Sequence, residues 1–351
     1  MAVKTIGILT GGGDAPGLNA VIRAVVLGAA NEAHLEVVGI RDGFGGFAEG
    51  DEGIMPLDRA RVRGLIWRGG SILNCNNRYR GKPSFFVERM NEIGLDGLVV
   101  VGGDGSLTMA QQMVELGAHV VGVPKTIDND VEGTDQTFGF DTAVSLVADA
   151  CGRLIDTAES HHRVMVVEVM GRNAGHIALH GALAGSADVA LIPEIPYRVE
   201  HLVDVVRKRG HHGRTYTVIV IAEGAVEDGG DKILDEHRTQ RSGREVLGGA
   251  GGLLAKRLRE VLDHEIRSLS LSHLQRGGTP TVFDRVLATR MGVAAVRALK
   301  ADKRGMFTTY RNSKVLLAPL TDAAGKTRRV NATGRLVSSA RAVGLSFGDG
   351  K

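Results

Sequence analysis

Short apolar runs recur along the chain, and most of them end in a glycine-rich or polar turn. The runs predicted to be buried strands are Thr5–Leu9, Glu36–Ile40, Asp96–Val101, His119–Val123, Arg163–Val169, Asp188–Ile192, Tyr216–Ile221, Arg267–Ser272 and Lys314–Ala318. Between them, apolar residues at spacings of three and four predict helices, as in 18–26 and 284–299. In a chain of 351 residues, this alternation predicts an α/β fold with two doubly wound, mainly parallel sheets.

Glycines cluster directly after two of the predicted strands. Gly11-Gly12-Gly13 follows the first strand, Gly102-Gly103-Asp104-Gly105-Ser106 follows the third, and a helix follows each turn. Glycine lets a backbone approach a ligand closely, and a helix N-terminus offers free N–H groups to anions. The first turn lacks the Gly-Lys-Ser/Thr of a P-loop, and many such turns have glycines only for packing. The second turn predicts a phosphate site at which Asp104 reaches a magnesium ion.

The loop 124–130 follows the strand that ends at Val123 and reads Pro-Lys-Thr-Ile-Asp-Asn-Asp. In an open parallel sheet, ligands collect outside the carboxyl ends of the strands. A lysine, a threonine and two aspartates there supply the charge, base and metal partner that phosphoryl transfer requires. Taken alone, an Asp-Asn-Asp run is more commonly an Asx-rich turn with solvated charges, so this loop by itself decides nothing.

Composition restricts the class of protein further. The net charge is +3 and the basic residues are scattered, which argues against nucleic-acid binding. Only Cys75 and Cys151 are present, so a disulfide framework is not expected and a reducing compartment is favoured. No apolar run approaches the ~20 residues that a membrane span needs, and no signal peptide is recognised. We therefore expect a cytoplasmic protein.

Residues 225–247 are expected to form an exposed excursion and 319–351 a partly ordered surface appendage.

Five loops together resemble those of the 6-phosphofructokinase family. They are Gly-Gly-Asp-Ala-Pro-Gly at 12–17, Gly-Gly-Asp-Gly-Ser at 102–106, Pro-Lys-Thr-Ile-Asp-Asn-Asp at 124–130, Val-Glu-Val-Met-Gly-Arg at 167–172 and His-Leu-Gln-Arg-Gly-Gly at 273–278. The resemblance covers Lys4 to about Leu299. It implies transfer of a phosphoryl group to the 1-hydroxyl of fructose 6-phosphate.

The resemblance also implies roles for individual residues. Asp128 is the expected general base, Asp130 orients the site, Thr126 donates to the transferring phosphoryl group and Arg172 stabilises its charge. Asp104 is the expected Mg²⁺ ligand. The residues expected at the nucleotide phosphates are Gly13, Arg78, Gly103, Asp104, Gly105, Ser106 and Lys125. Those expected at the sugar phosphate are Thr126, Asp128, Arg163, Met170, Gly171, Arg172, Glu223, Arg267, His273 and Arg276.

The resemblance further implies a domain organisation and an oligomer. Residues 1–139 with about 275–325 would bind ATP, and 140–274 with about 326–351 would bind the sugar phosphate. The active site is expected in the cleft between these domains. Arg163 and Arg267 are expected to complete the site of a neighbouring subunit, so that a homodimer or homotetramer is required.

Two positions bear on the phosphoryl donor. Gly105 leaves room for the inner phosphate of ATP, where pyrophosphate-using members of the family commonly have Asp. Lys125, in contrast, is the residue of those pyrophosphate-using members. Gly105 has no side chain that could block ATP, and the flexible side chain of Lys125 can move away from it. ATP is therefore favoured as the donor, and pyrophosphate is the alternative.

The bacterial effector site is only partly matched. Arg23 and Arg59 align with family arginines, but Leu27 and Ile155 stand where arginines would be expected. We therefore hypothesise that regulation by ADP and phosphoenolpyruvate is absent. Asn74 also departs from the family pattern, and the neighbouring arginine is displaced by one position, which leaves the Arg78 contact in question.

Other functions are considered beside this one. A kinase of the NAD or lipid type shares Gly-Gly-Asp-Gly but does not offer the 124–130 and 273–278 loops. A catalytically silent nucleotide-binding subunit should have lost Asp128, Asp130 or Arg172, and all three are present. Related sugar phosphates such as sedoheptulose 7-phosphate are not distinguished by the sequence.

Overall fold

Two compact units make up the chain. A computed structural model describes residues 3–76, 81–211, 213–232, 234–239 and 245–351, with side chains given outside 233–246. Unit 1 comprises Met1–Thr142 and Arg276–Arg328, and unit 2 comprises Ala143–Gln275 and Arg329–Lys351. Arg78 lies outside the described residues, so its predicted role is not addressed by the structure.

Strands and helices alternate over most of the described chain. The strands are Thr5–Thr10 (β1), Glu36–Ile40 (β2), Ile54–Leu57 (β3), Gly97–Gly102 (β4), Val120–Pro124 (β5), Val164–Val169 (β6), Val189–Leu191 (β7), Thr217–Ala222 (β8), Leu234–Thr239 (β9), Glu245–Leu247 (β10), Ile266–Ser270 (β11), Met306–Arg311 (β12) and Lys314–Pro319 (β13). The α-helices are Leu18–Gly28 (α1), Pro83–Glu92 (α2), Asp104–Glu115 (α3), Phe140–His161 (α4), His176–Ala184 (α5), Val199–His211 (α6), Ala250–Val261 (α7), Val282–Lys300 (α8) and Arg335–Ala342 (α9).

Unit 1 is built on a seven-stranded sheet in the order β13-β12-β5-β4-β1-β2-β3. Its five inner strands pair in parallel, and the two edge strands, β3 and β13, are antiparallel to their neighbours. Because β4 lies between β1 and β5, the carboxyl ends of these three strands come to the same edge of the sheet. The loops that carry the predicted phosphate and aspartate residues therefore meet there.

Both faces of this sheet are buried, as the nearly continuous apolar strands predict. Along β4, Val99 and Val101 join a core with α1 and α8, whereas Leu98 and Val100 join a second core with α2 and α3. On the first face α1 and α8 pack closely, since a Cβ atom on Gly292 would lie 2.9 Å from the Cβ of Ala24. Each fully buried aliphatic side chain stabilises the fold by roughly 1.5–3 kcal/mol.

Unit 2 contains a second parallel sheet, in the order β11-β6-β8-β7. One core cluster contains residues of β6 and β8 together with apolar residues of α6 and α7, among them Leu202 and Leu254. Helix α5 contacts β7 and β8 and packs against α4, where a Cβ atom on Gly181 would lie only 2.4 Å from Val147. The predicted α/β class with two mainly parallel sheets is confirmed.

Several local predictions differ from the structure. The C-terminal residues, expected to be a partly ordered surface appendage, are instead packed into unit 2: α9 forms, and Phe347 is fully buried. The small number of apolar residues in that segment gave little periodic signal: Val337 and Leu345 are buried, whereas Leu336 and Val343 are exposed. The predicted excursion at 225–247 contains an antiparallel hairpin, β9–β10. Strands β3 and β12 were not anticipated because each is interrupted by proline, threonine or charged residues.

Candidate active site

Three turns meet at the carboxyl ends of β1, β4 and β5 in unit 1. The N–H of Gly11 donates to the carbonyl of Val101 (2.8 Å), and the N–H of Lys125 donates to that of Gly102 (2.9 Å). The buried Ser106 packs against the first two turns so closely that a Cβ atom on Gly11 would lie 2.4 Å from its Oγ. These two turns therefore need glycine because a side chain and a neighbouring strand occupy the space.

The second turn leads directly into α3, whose first residue is Asp104. The Oδ1 atom of Asp104 accepts hydrogen bonds from the N–H of Gly325 (2.7 Å) and the hydroxyl of Thr108 (3.3 Å). Gly105 is exposed, and a Cβ atom there would meet no atom within 4 Å. The first N–H groups of a helix have no acceptor within the helix, so this end of α3 favours an anion.

Asp104 also fits a magnesium ion. Among the described residues its Oδ2 atom has no hydrogen-bond partner, which leaves one hard carboxylate oxygen available. The described His, Cys, Asp and Glu side chains form no group of three or more that could hold a metal ion. Mg²⁺ does not need such a group, because it is commonly bound through one or two carboxylates together with waters and substrate phosphates.

Two cations lie against the glycine turn after β1. The ammonium of Lys125 is buried and donates to the carbonyl of Gly13. The pKa of Lys125 is lowered to about 8, chiefly by burial and also by the charge of Arg276, against the opposing effect of Cys75, Asp14 and Asp128. The guanidinium of Arg276 donates to the carbonyl of Asp14 (3.0 Å), and a Cβ atom on Gly13 would lie 2.6 Å from its Nη1. The structure thus places Arg276, predicted at the sugar phosphate, beside residues predicted at the nucleotide phosphates.

The loop after β5 holds the two predicted catalytic aspartates next to one hydroxyl. Thr126 Oγ1 accepts from the N–H of Asp128 (3.1 Å), and the same hydroxyl donates to the carboxylate of Asp130. Burial and the charge of Asp128 raise the pKa of Asp130 from 3.8 to about 6, against the opposing effect of its hydrogen bonds. Two carboxylates are therefore held close together in surroundings that disfavour the charge on Asp130.

Residues that were not predicted fix the shape of this loop. Asn129 has a φ of 54°, and its Oδ1 accepts from the N–H of Thr137 (3.0 Å). The hydroxyl of Thr137 donates to the carbonyl of Thr126 (2.7 Å), and Arg328 donates to the carbonyls of Asn129 (2.7 Å) and Asp130 (2.8 Å). Asparagine adopts the left-handed conformation more readily than most residues, so the turn at Asn129 could have been predicted from the sequence. Arg328 was not, since nothing near it in sequence links it to this loop.

In unit 2, the Met170–Arg172 turn and Glu223 follow two neighbouring parallel strands, β6 and β8. The N–H of Glu223 donates to the carbonyl of Val169 (2.8 Å). A Cβ atom on Gly224 would lie 2.1 Å from the carbonyl oxygen of Arg172, so the two segments are in close contact. Gly171 has a φ of 138°, which favours glycine, and Met170 is buried.

Arg163 and Arg267 lie elsewhere in unit 2. Arg163 precedes the first residue of β6, whereas Met170 follows its last, and six residues of strand span about 20 Å. Arg267 pairs with Met165 in the amino half of β6. Both arginines bind Glu265, with Arg163 Nε 2.8 Å from Oε2 and Arg267 Nε 2.9 Å from Oε1. These hydrogen bonds hold the pKa of Glu265 below its usual value.

His273 is exposed and follows the carboxyl end of β11. Its Nδ1 lies 3.1 Å from the hydroxyl of Ser272, whose φ of 36° is unusual for a residue other than glycine. His273 is therefore at the same end of the parallel sheet as the 170–172 turn and Glu223. Within unit 2 the structure separates the predicted sugar-phosphate residues into this set and the arginine pair on Glu265.

No helix in the described ranges combines the length and apolar character that crossing a membrane requires.

The chain is similar to known proteins over most of its length. The family model described as Phosphofructokinase matches residues 5–299. An ATP-dependent 6-phosphofructokinase from Chloroflexus aurantiacus (strain ATCC 29366 / DSM 635 / J-10-fl) is 46% identical over 359 aligned residues, covering 99% of this chain and 98% of that protein. A pyrophosphate–fructose 6-phosphate 1-phosphotransferase from Amycolatopsis methanolica is 45% identical over 330 residues, covering 93% and 96%.

A solved structure has the same fold. The phosphofructokinase of Saccharomyces cerevisiae matches with a TM-score of 0.78 and 30% identity over 91% of this chain, which spans 45% of the yeast chain. Together with the five sequence loops and their positions at strand ends, these similarities establish the relationship. The chain belongs to the phosphofructokinase family.

Proposed function

We propose that the protein transfers the terminal phosphoryl group of ATP to the 1-hydroxyl of fructose 6-phosphate, giving fructose 1,6-bisphosphate. The observation that carries the proposal is the Asp128–Asp130 pair, which shares the Thr126 hydroxyl in the loop after β5. This loop neighbours two glycine turns and the start of α3, where phosphate oxygens are favoured. The ATP-dependent relatives provide independent support.

In this reaction Asp128 accepts the proton of the sugar 1-hydroxyl while the hydroxyl oxygen forms a bond to the terminal phosphorus of ATP. The bond from that phosphorus to the bridging oxygen breaks, and ADP leaves. General-base catalysis of this kind contributes typically ~10²–10⁴-fold. Asp130 orients the site, Thr126 donates to the transferring group, and Arg172 offers a planar guanidinium to its oxygens.

The remaining assignments belong to the same proposal. Asp104 would hold Mg²⁺ and, when bound, the ion would neutralise charge on the phosphates. Unit 1 would bind the nucleotide and unit 2 the sugar phosphate. Gly13, Gly103, Gly105, Ser106 and Lys125 would line the donor phosphates. Met170, Gly171, Glu223, His273 and Arg276 would bind fructose 6-phosphate.

ATP is favoured over pyrophosphate as donor because Gly105 leaves open space where a side chain would project. Lys125 does not oppose this, since its ammonium is buried and turned to the carbonyl of Gly13. Pyrophosphate stays the alternative, supported by Lys125 itself and by relatives that use pyrophosphate.

We further propose that the enzyme acts as a homo-oligomer in which Arg163 and Arg267 complete the sugar site of a neighbour. The support is their position near the amino ends of β6 and β11, about 16–20 Å of strand away from the Met170–Arg172 turn of the same chain. Their shared partner Glu265 is exposed, so both arginines could exchange its carboxylate for the phosphate of a sugar bound to a neighbouring subunit.

A coupled assay with fructose 6-phosphate and magnesium, comparing ATP with pyrophosphate, tests the function. Activity with ATP and little with pyrophosphate is expected, and the opposite preference would support the alternative donor. Activity with neither would contradict the proposal and favour a silent nucleotide-binding subunit. Asp128→Ser should lower turnover by several powers of ten while sugar-phosphate binding, followed by calorimetry, is retained.

A further inference from the structure

Lys232 reaches back from the segment after β8 to the turn that carries Arg172. Its ammonium donates to the carbonyl of Arg172 (2.9 Å) and to Oδ1 of Asn173 (3.1 Å). We propose that Lys232 is a positioning residue for Arg172, which orients that guanidinium toward the transferring phosphoryl group. The inference rests on the role of Arg172 in the proposed function.

The turn at residues 171–173 is held from two sides, by Gly224 after β8 and by the hydrogen bonds of Lys232. On the β8 side, the N–H of Gly224 donates to the carbonyl of Gly171 (3.2 Å), and the backbone of Gly224 is in contact with the carbonyl of Arg172. Lys232 adds a charged donor to that same carbonyl, and hydrogen bonds to charged donors are about twice as strong as neutral ones. The conformation of residues 171–173, and with it the direction of the Arg172 side chain, is thereby restricted.

The surrounding charges indicate an anionic ligand. Burial lowers the pKa of Lys232, and Arg172 and Arg329 lower it further, whereas Glu194 and Glu223 oppose them. Glu194 is already engaged by the N–H groups of Gly175 (3.1 Å) and Val330 (2.8 Å). Three cations are thus gathered around two carboxylates, and like charges at short range are unfavourable without a counter-ion. A phosphate group bound at Arg172 would add negative charge to this group of cations.

Four single variants and one double variant test this inference in the full-length enzyme. Lys232→Met removes both hydrogen bonds and should lower kcat about tenfold, the cost of one charge-assisted hydrogen bond, with KM for fructose 6-phosphate little changed. Lys232→Arg retains charge and donors and should restore most of kcat. Lys256→Met, at an exposed position on α7, is the matched control and should behave as wild type.

The double variant separates a positioning role from a general effect on the fold. In an Arg172→Met background, Lys232→Met should cause no further loss of kcat, because the residue it positions is absent. An equal loss in both backgrounds would overturn the inference, as would wild-type kcat in Lys232→Met or failure of Lys232→Arg to restore it. If Arg172→Met alone leaves kcat unchanged, the proposed role of Arg172 fails instead, and the positioning role fails with it.

Discussion

Replacing Asp130 by asparagine should stabilise unit 1 at neutral pH while impairing catalysis. The pKa of Asp130 is raised from 3.8 to about 6 by burial and by the neighbouring Asp128. This difference corresponds to about 3 kcal/mol by which ionisation of Asp130 disfavours the folded state. Asparagine removes that cost but accepts fewer hydrogen bonds, each worth about 0.5–1.5 kcal/mol. The expected net gain in unfolding free energy is therefore about 1–2 kcal/mol.

The pH dependence of this gain follows from the direction of the shift. Above pH 6 the carboxyl is ionised in both the folded and unfolded states, so the cost is fully present and Asp130→Asn gains most. Between pH 6 and pH 4 the folded state binds a proton that the unfolded state does not, and the wild type recovers the difference. The advantage of the variant should therefore decline as pH falls through this window.

Urea unfolding at pH 8 and at pH 4.5 measures this effect. The single tryptophan, Trp67, lies in the same unit as Asp130 and is suited to follow its unfolding by fluorescence. Asp96→Asn is a control of opposite sign, since the N–H groups of Thr5 and Lys4 lower the pKa of Asp96. That variant should be less stable than wild type at pH 8. A less stable Asp130→Asn at pH 8, or an equal gain at both pH values, would refute the reasoning.

Four further outcomes are expected. Because the pKa of Lys125 is about 8, this side chain loses its charge as pH increases through 8, and the wild-type KM for the phosphoryl donor should rise. Lys125→Met should have a KM about tenfold higher that does not change with pH in that range. The Arg163→Ser and Asp128→Ser variants should each be poorly active alone. Co-expression of the two should restore activity, because a mixed oligomer then has a site with both residues intact. An unchanged KM for fructose 6-phosphate in Arg163→Ser would contradict the shared site. Phe347→Ala should destabilise unit 2 by about 3–5 kcal/mol in urea unfolding, because the ring is fully buried. Initial-rate curves should show no sigmoidal inhibition by phosphoenolpyruvate, and strong inhibition would oppose the hypothesis drawn from the incomplete effector arginines.

The predictable part of the fold is the part in which local sequence and tertiary packing favour the same structure. The run Leu98–Val101 is apolar on both faces because the strand is covered on both faces, and it was recognised for that reason. Strand β12 contains Thr308 and Thr309, which are buried yet polar, so its pattern did not predict a strand. The same limit applies to Phe347, a buried ring in a segment that is otherwise polar.

The residues of the candidate site that lie in short motifs could be proposed from the sequence alone. Asp104, Asp128 and Arg172 were named from such motifs, each at a strand end. The groups that hold them in place were not, because Arg328 contacts a loop about 200 residues away in sequence and Lys232 acts through a carbonyl. Contacts to main-chain atoms leave no pairing of side-chain types that a single sequence could reveal.

The two strongest pKa shifts in unit 1 near these loops point to one kind of ligand. Burial disfavours the charged form of Asp130 and also that of Lys125, although the two groups carry opposite charges. Pairing them with each other would relieve both, but Lys125 is turned to the carbonyl of Gly13 and Asp130 to the hydroxyl of Thr126. A ligand that brings an anion to the lysine and a cation to the carboxylates would relieve both. A phosphate ester complexed with a divalent cation carries both charges, so the protein without substrate holds an electrostatic cost that substrate of this class offsets on binding.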